Sequence, residues 1–209
     1  MAAVVMVVSG ANVWTMKNAT PHPTGFWSEE FVTPHRKFTE AGLQVTVASP
    51  GGVAPTVDPL SFNLSYNNND AAKIAEQQDY MKRLGPALTS PMHVEDIDPD
   101  RFGVIFLVGG HGPMQDMAVH ATLGSVLVAW AFKDRQLTGF SNQEETQDGF
   151  AGNAPWLLED RLRISGGCYI AKQPWTPHAV VDGNLVTGQQ NYSAAVTADA
   201  VLKQLSAST

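Results

Sequence analysis

The sequence predicts an α/β fold, a doubly wound and mostly parallel sheet with helices on both faces. Three observations support this prediction. Short apolar runs of strand length, of which residues 104–108 are the clearest, have the composition of strands buried on both faces of a parallel sheet. Longer segments with apolar residues at helical spacing alternate with these runs. Glycine, proline or asparagine separates one segment from the next.

The composition is that of a globular protein, and we predict a single domain over residues 1–209. Of the 209 residues 44% are hydrophobic and 16% charged, so the chain can bury a sizeable core. The net charge of -7 and the lack of a basic run argue against non-specific binding to nucleic acid or to an anionic membrane. A single cysteine, Cys168, rules out an intramolecular disulfide and suits a reducing compartment. Residues 1–8 are apolar but lack a basic flank and are too short to span a membrane, so we interpret them as the first strand of a soluble, cytoplasmic protein.

The first part of the chain contains a strand–helix–strand unit. Trp27, Phe31 and Phe38 recur on one face of its helix, and Pro34 inside that helix predicts a kink or a restart. The predicted elements up to residue 100 are strand 2–8, loop 10–25, helix 27–41, strand 43–48, loop 55–69, helix 71–84 and an acidic, turn-like segment 93–100.

The chain is organised around strand 104–108 and the loop that follows it, Gly109-Gly110-His111-Gly112. In open α/β sheets, ligands bind at the carboxyl ends of the strands. Glycines at such a strand end let a ligand approach the backbone amides closely. We therefore interpret this loop as the candidate binding site; the alternative is a tight strand-to-helix turn with an incidental histidine.

The second part of the chain departs from the doubly wound pattern. After a helix predicted over 119–135, only 137–140 is available before the polar run 141–149, where a strand of roughly 5–6 residues is expected. The remaining predictions are a short helix 155–162, strands 168–171 and 178–182, a hairpin turn into strand 185–187, and a last helix 192–205.

Five segments of the chain together resemble a known family. Residues 24–34, TGFWSEEFVTP, and 38–52, FTEAGLQVTVASPGG, resemble the ThiJ/PfpI superfamily, also called class I glutamine amidotransferase-like proteins. Residues 108–116, VGGHGPMQD, 138–145, TGFSNQEE, and 181–189, VDGNLVTGQ, are similar to its glyoxalase III-like, heat-shock-chaperone branch. The resemblance runs nearly end to end, and it implies a flavodoxin-like form of the predicted fold.

The resemblance also identifies a missing segment. Members of the superfamily usually act through a cysteine on a strand-to-helix turn that is followed by histidine, and this sequence contains no Cys-His pair. The family places that segment between the helix that ends near Gln136 and the strand that begins near Thr138. We infer an internal deletion near 137–138 of about 25–35 residues, the size of one strand-plus-helix unit. Natural loss, splicing, a gene-model error and engineering stay open as its origin.

The resemblance implies four site residues. Glu30 matches the glutamate that hydrogen-bonds the nucleophilic sulfur, where partial burial would raise the pKa of its carboxyl group. The alternative, which does not depend on the family, is an acidic residue in the first turn of a helix, where the helix dipole favours it. Gly110 matches the glycine whose N–H contributes to an oxyanion hole, or is a plain turn glycine. His111 would polarise the substrate, line the pocket or serve the structure alone. Glu145, with Glu144 as its alternative, matches the acid that orients the catalytic histidine; without that histidine we expect a solvated surface acid.

Other reactive and aromatic residues are weaker candidates. Cys168 lies in a loop entering a late strand, where the family places no catalytic residue, so we expect a structural or incidental thiol. Trp27, Phe140 and Trp175 would line an apolar pocket or, more commonly for such residues, pack in the core. The six histidines lack metal-ligand spacing, and we expect neither a metal nor a cofactor.

The function that the resemblance implies is that of a glyoxalase III-like stress protein, which would convert a small 2-oxoaldehyde, methylglyoxal, to lactate without a cofactor. Because the nucleophilic cysteine is absent, we expect this form to be inactive. The alternative is a holdase chaperone or interaction protein that binds unfolded clients without catalysis. A homodimer is common in the family, and amidotransferase or protease activity rests on the superfamily name alone.

Overall fold

The computed structural model describes residues 3–123 and 132–207. The chain divides into two compact units. The first comprises Met1–Trp14 with Pro21–Val126, and the second comprises Thr15–Thr20 with Leu127–Thr209. The single domain predicted over 1–209 stays a prediction.

A four-stranded parallel sheet forms the centre of the first unit, with the strand order β5–β4–β1–β6. Its strands are β1, Ala3–Val7; β4, Gln44–Ser49; β5, Met92–His93; and β6, Val104–Leu107. β1 lies between β4 and β6, and its side chains from Val4 to Val7 are fully buried. This parallel sheet and the helices around it confirm the predicted α/β fold class.

The helix of the first strand–helix–strand unit is α1, Ser28–Glu40. It continues through Pro34, so the chain does not restart there; a proline inside a helix removes only one backbone hydrogen bond, which packing of the apolar face can offset. Phe31 and Phe38 are fully buried, and the Phe38 ring packs edge-on against Phe106 of β6 at 5.4 Å between centroids. The predicted apolar stripe therefore fixes α1 to the sheet.

Only one of the other helices and strands described in the first unit is long, the helix Ala71–Leu84. Asp70 caps this helix by accepting a hydrogen bond from the Lys73 N–H at 3.0 Å, as the preceding asparagine turn predicts. These elements are the two-stranded ribbon of β2, Val13–Thr15, and β3, Pro21–Pro23, and the helices α2, Ala71–Leu84, α3, Pro86–Thr89, and α4, Gly112–Gln115.

β6 is not buried on both faces, and that prediction is wrong. It is the terminal strand of the four-stranded sheet, its residues are only partly buried, and Leu107 is 40% exposed. Among the described residues β6 pairs with β1 alone. A strand with one neighbour leaves part of its surface uncovered, whereas an internal strand of a parallel sheet is covered on both faces.

The second unit has two pairs of short strands. β7, Gln136–Leu137, runs parallel to β8, Cys168–Tyr169, and β9, Ala179–Asp182, pairs antiparallel with β10, Leu185–Gly188. The β9–β10 hairpin is confirmed, with Gly183 in the left-handed region at φ +55. The helices of this unit are α5, Asn142–Gln147, α6, Leu158–Ile164, and α7, Ala194–Ala207.

The helix predicted over 119–135 falls partly on residues 124–131, which lie outside the described residues. Residues 132–135 form a turn rather than helix, with Asp134 at φ +60, and lead directly into β7. The two-residue β7 agrees with the short apolar segment seen in the sequence. The polar run 141–149, in which no helix was predicted, contains α5, and the Ser141-x-x-Glu144 capping box is the sequence signal for that helix.

Candidate functional site

The loop after β6 is fixed against the chain segment that enters α1. The Gly109 carbonyl accepts a hydrogen bond from the Trp27 N–H at 3.0 Å, and the Gly112 N–H donates to the Gly25 carbonyl at 3.1 Å. Gly110 has φ +112, and a Cβ there would lie 2.8 Å from the Gly25 oxygen and 2.9 Å from the Trp27 nitrogen. Only glycine fits this position, which explains the glycine-rich sequence.

Asp116, which follows α4, holds the chain segment that follows β1. Its carboxylate accepts hydrogen bonds from Ser9 Oγ and the Gly10 N–H, both at 2.8 Å, from the Ala11 N–H at 3.1 Å and from the Met117 N–H at 2.6 Å. This joins the chain after β1 to the chain after α4, so the segments that follow β1 and β6 are linked at one edge of the sheet. The sequence motif contains this aspartate, but its spacing gives no signal for that role.

Glu30 lies in the first turn of α1, partly buried, with its carboxyl group against Gly109. Burial raises the pKa of Glu30 to about 7; the N–H of Gly109 and the nearby His111 oppose this rise, while Glu29 adds to it. The raised pKa that the sequence predicts is therefore present. A carboxyl group that titrates near neutral pH can both donate and accept a proton under physiological conditions.

The Gly110 N–H is a hydrogen-bond donor at the same place. Gly110 is partly exposed, and its N–H donates to no group in residues 3–123 or 132–207. An amide of a partly exposed residue next to a protonatable carboxyl group suits the oxygen of a small carbonyl compound. The structure thus brings Glu30 and Gly110 to one loop.

His111 lies in an aromatic cluster beside this loop. Its imidazole stacks on the Trp14 indole with centroids 4.6 Å apart and an interplanar angle of 12°, and His22 meets it edge-on at 6.4 Å. Burial lowers the pKa of His22, as does the charge of His111, while Asp58 opposes them. His111 is only 8% exposed, and its stacking on Trp14 is sufficient to account for its position. Both the structural and the substrate-polarising interpretations of His111 stay open.

Glu144 and Glu145, in the second unit, are not solvated surface acids, and that expectation is wrong. Glu144 has no exposed surface and Glu145 is 3% exposed. The Glu144 carboxylate accepts four hydrogen bonds, from the Ser141 N–H and Oγ and from the Trp175 N–H and Gln189 Nε2. A carboxylate with this many donors can stay buried, so Glu144 holds the second unit together.

Cys168 lies on β8, and its side chain is exposed. Its N–H donates to the Arg135 carbonyl at 2.8 Å, which is an ordinary contact between parallel strands. Cys168 therefore occupies a regular strand position and not a strand-to-helix turn of the kind that carries the family nucleophile.

The three predicted pocket aromatics have different surroundings. Trp27 is 8% exposed and packs edge-on against Tyr66 at 5.2 Å between centroids, which is a core position. In the second unit, Phe140 packs edge-on against Trp175 at 5.7 Å, and both rings are partly exposed.

The part of the chain that the structure describes contains no candidate metal site and no candidate membrane-spanning helix. No three or more His, Cys, Asp or Glu side chains of residues 3–123 and 132–207 are grouped so that they could hold a metal ion. In the same residues, no helix has the length and apolar character that crossing a membrane requires.

Comparison with known proteins identifies relatives that share this fold. No protein-family model matches the chain. Over 185 residues it is 29% identical to the human "Glutamine amidotransferase-like class 1 domain-containing protein 1", spanning 75% of this chain and 77% of the relative.

Two solved structures resemble the whole chain. The Rapid Encystment Protein 24 kDa of Francisella tularensis is 26% identical with a TM-score of 0.82, covering 98% of this chain and 99% of that one. Glyoxalase III of Candida albicans is 19% identical with a TM-score of 0.75, covering 97% of each chain, and at this identity it shows the common fold. The chain is thus similar to proteins named for a class 1 glutamine amidotransferase-like domain and shares the fold of solved ThiJ/PfpI and glyoxalase III structures, which confirms the resemblance identified in its sequence.

Proposed function

We propose that this chain is a glyoxalase III-related stress protein that binds small 2-oxoaldehydes at Glu30 and Gly110 but does not convert them. The observation that carries this proposal is the pairing of a Glu30 carboxyl group of raised pKa with the Gly110 N–H, in a chain whose single cysteine lies on a regular strand. In this proposal Glu30 is the acid and Gly110 the oxyanion donor of the family chemistry, and no residue replaces the thiol that begins it.

The binding step needs only these two groups. The Gly110 N–H donates to one carbonyl oxygen of the ligand, and the protonated form of Glu30 donates to the other oxygen. The chemical step needs a thiolate that adds to the aldehyde carbon, and this sequence contains no Cys-His pair to supply one. Loss of a covalent nucleophile typically removes nearly all of the rate and leaves what binding and the oxyanion donor supply.

Binding and turnover are tested with two ligands. Methylglyoxal reports turnover through lactate formation, and hydroxyacetone, a less reactive analogue, reports binding by isothermal titration calorimetry. We expect no lactate above the protein-free rate, saturable binding of hydroxyacetone, and at least about tenfold weaker binding by Glu30→Ala, because the carboxyl donor is lost.

The Cys168→Ala variant provides the control. It should bind hydroxyacetone as the wild type does. Lactate formation by the wild type that disappears in Cys168→Ala would overturn the proposal, because the chain would then use Cys168 as a nucleophile. Absence of hydroxyacetone binding by a folded sample would overturn it as well.

A second candidate function is a holdase for unfolded clients, which would bind them through exposed apolar side chains. Val53 is 51% exposed, Val119 76% and Ile164 80%. Such side chains are the surface that a client-binding protein needs when they are contiguous. Suppression of client aggregation at stoichiometric ratios, unchanged by alkylation of Cys168, would support this function; no suppression at tenfold excess would reject it. We also propose that the protein is cytoplasmic, which its single unpaired cysteine favours, and that it forms a homodimer.

A further inference from the structure

A second acidic residue, Glu29, lies directly beside Glu30 in the first turn of α1. The Cα atoms of consecutive residues are about 3.8 Å apart. The Glu29 side chain is only 14% exposed and Glu30 is partly buried, so water screens the interaction between their charges poorly. Burial is the main cause of the raised pKa of Glu30, and the charge of Glu29 adds to it. Whatever neutralises Glu29 therefore acts on the proton that Glu30 holds.

Lys73 of α2 supplies the charge that neutralises Glu29. Its Nζ donates a hydrogen bond to Glu29 Oε1 at 2.6 Å. The second oxygen of the carboxylate, Glu29 Oε2, is buried and has no hydrogen-bond partner among residues 3–123 and 132–207. The Glu144 carboxylate, by contrast, accepts four hydrogen bonds. Removal of the Lys73 ammonium group would therefore leave a poorly solvated charge next to Glu30.

Packing between α1 and α2 fixes Lys73 in this position. One helical turn after Lys73, Gln77 Oε1 accepts a hydrogen bond from Ser28 Oγ at 2.7 Å in the interior. Ser28 directly precedes Glu29, so this bond sets the start of α2 against the start of α1. The Lys73 N–H is held in turn by the Asp70 carboxylate at 3.0 Å. The ion pair is thus part of a defined contact between two helices, unlike an exposed pair of long side chains.

The loop after β6 supplies the other polar groups that act on Glu30. The Gly109 N–H and the charge of His111 favour the ionised carboxylate and so oppose the effect of burial. His111 lies beside His22, on which the Asp58 charge acts. From α1 and α2 the charged neighbours are Glu29 and Lys73. The Glu29–Lys73 pair can therefore be altered without changing the loop that forms the candidate site.

We propose that Lys73 is a positioning residue that controls the protonation of Glu30 by neutralising the Glu29 carboxylate. Without Lys73 two like charges would be adjacent, and Glu30 would keep its proton to a higher pH. Because protonated Glu30 is the proposed donor to a ligand oxygen, Lys73 also sets the pH range of ligand binding. This consequence for binding rests on the proposed function, whereas the effect on the proton of Glu30 does not.

The protonation of Glu30 can be measured without a ligand. Carboxyl-carbon NMR of the full chain, isotopically labelled in glutamate, gives the pH at which Glu30 is half protonated, and Glu30→Gln identifies its signal. This midpoint, about 7 in the wild type, should rise by at least about 0.5 pH unit in Lys73→Met. Lys73→Gln should raise it as well and serves if Lys73→Met does not fold. Lys73→Arg keeps the charge and should leave the midpoint unchanged. An unchanged or lowered midpoint in folded Lys73→Met would overturn the proposal.

Two further comparisons test the route through Glu29. In a Glu29→Gln background, Lys73→Met should no longer raise the midpoint, because no carboxylate is left to neutralise. Arg36→Met is the matched control, since it breaks another ion pair between α1 and α2, that of Arg36 with Glu76 at 2.7 Å. Arg36 lies six residues beyond Glu30, about 9 Å along the helix, so its loss should leave the midpoint of Glu30 unchanged. An equal rise in Arg36→Met or in the Glu29→Gln background would contradict the assignment.

Hydroxyacetone binding separates failure of this inference from failure of the proposed function. Isothermal titration calorimetry at several pH values around neutrality should show that Lys73→Met binds hydroxyacetone up to a higher pH than the wild type does, by the increment measured for Glu30. A raised midpoint in Lys73→Met without hydroxyacetone binding by either protein would refute the proposed function and support the control of Glu30 by Lys73. Wild-type binding together with an unchanged midpoint in Lys73→Met would refute that control and leave the proposed function standing.

Discussion

Glu29 and Glu30 show how strongly the surroundings of a residue decide its chemistry. Both carboxyl groups lie in the first turn of α1, where the helix dipole favours either. Glu29 forms an ion pair with Lys73 at 2.6 Å, whereas Glu30 lies partly buried against Gly109 and has a pKa raised to about 7. The sequence distinguishes the two only through the family resemblance; the structure distinguishes them by their contacts.

The raised pKa of Glu30 predicts a specific dependence of stability on pH. Between 4.5, the ordinary glutamate pKa, and about 7, the folded protein binds a proton that the unfolded chain releases. The free energy of unfolding of the wild type, relative to Glu30→Gln, should therefore be highest below pH 4.5 and fall by about 1–3 kcal/mol as the pH rises through 7. Urea unfolding of both proteins at several pH values from 4 to about 8.5 measures this difference.

Subtracting the free energy of unfolding of Glu30→Gln from that of the wild type removes the contributions of other titratable groups. The histidines whose pKa is lowered by burial, His22, His35 and His178, titrate in both and cancel. Glu29→Gln is the matched control, and its difference from the wild type should show no such fall near pH 7. A constant difference between wild type and Glu30→Gln across this range would contradict the assignment of Glu30 as the group that titrates near neutral pH.

Residue-level prediction from sequence failed where several distant partners act together. Glu144 was expected in solvent, yet donors from Ser141, Trp175 and Gln189 keep its carboxylate buried. Only the Ser141 contact lies within a local motif; the other two come from residues more than thirty positions away. The left-handed conformation of Trp175 could not be predicted for the same reason, since a turn with proline second is compatible with many residues in third position.

At the scale of elements, local patterns predicted long helices and the central strands well. The helical spacing before Gly42 and after Asp70 located α1 and α2 to within about two residues, because each is long enough to show its apolar face. Short elements were harder: α5 has six residues, and β7 and β8 have two each. In such pieces pairing with a distant segment outweighs local propensity.

The exposure of β6 predicts that substitutions in β1 and in β6 lower the stability of the protein by different amounts. Val7 and Leu107 lie opposite each other in the β1–β6 ladder, but Val7 is fully buried and Leu107 is 40% exposed. Val7→Thr places a hydroxyl group in the core and should lower the free energy of unfolding by about 1–3 kcal/mol. Leu107→Thr should lower it by less than about 1 kcal/mol, as expected at a partly exposed site. Urea denaturation measures both, and an equal or larger loss for Leu107→Thr would mean that β6 is covered as an internal strand.

At the scale of the whole molecule, the chain keeps the fold of its solved relatives although its sequence contains no Cys-His pair. Its similarity to solved structures of the fold extends over nearly the whole chain, including glyoxalase III of Candida albicans at 97% of each chain. The fold positions the Gly109–Gly112 loop through backbone hydrogen bonds with Gly25 and Trp27 that do not involve a thiol. The binding proposed for this loop therefore does not depend on a thiol.

The single thiol of the molecule allows this separation to be tested chemically. Cys168 is exposed on β8, so a thiol reagent should titrate one group per chain without denaturant. Alkylation with iodoacetamide should change the free energy of unfolding by no more than about 0.5 kcal/mol and leave hydroxyacetone binding unchanged, because an exposed strand side chain tolerates modification. Mass spectrometry counts the modified thiol and calorimetry compares ligand binding before and after. Cys168→Ser, treated in the same way, should show no modification; loss of binding in the alkylated wild type but not in this control would place Cys168 in the ligand site and reject a thiol-independent function.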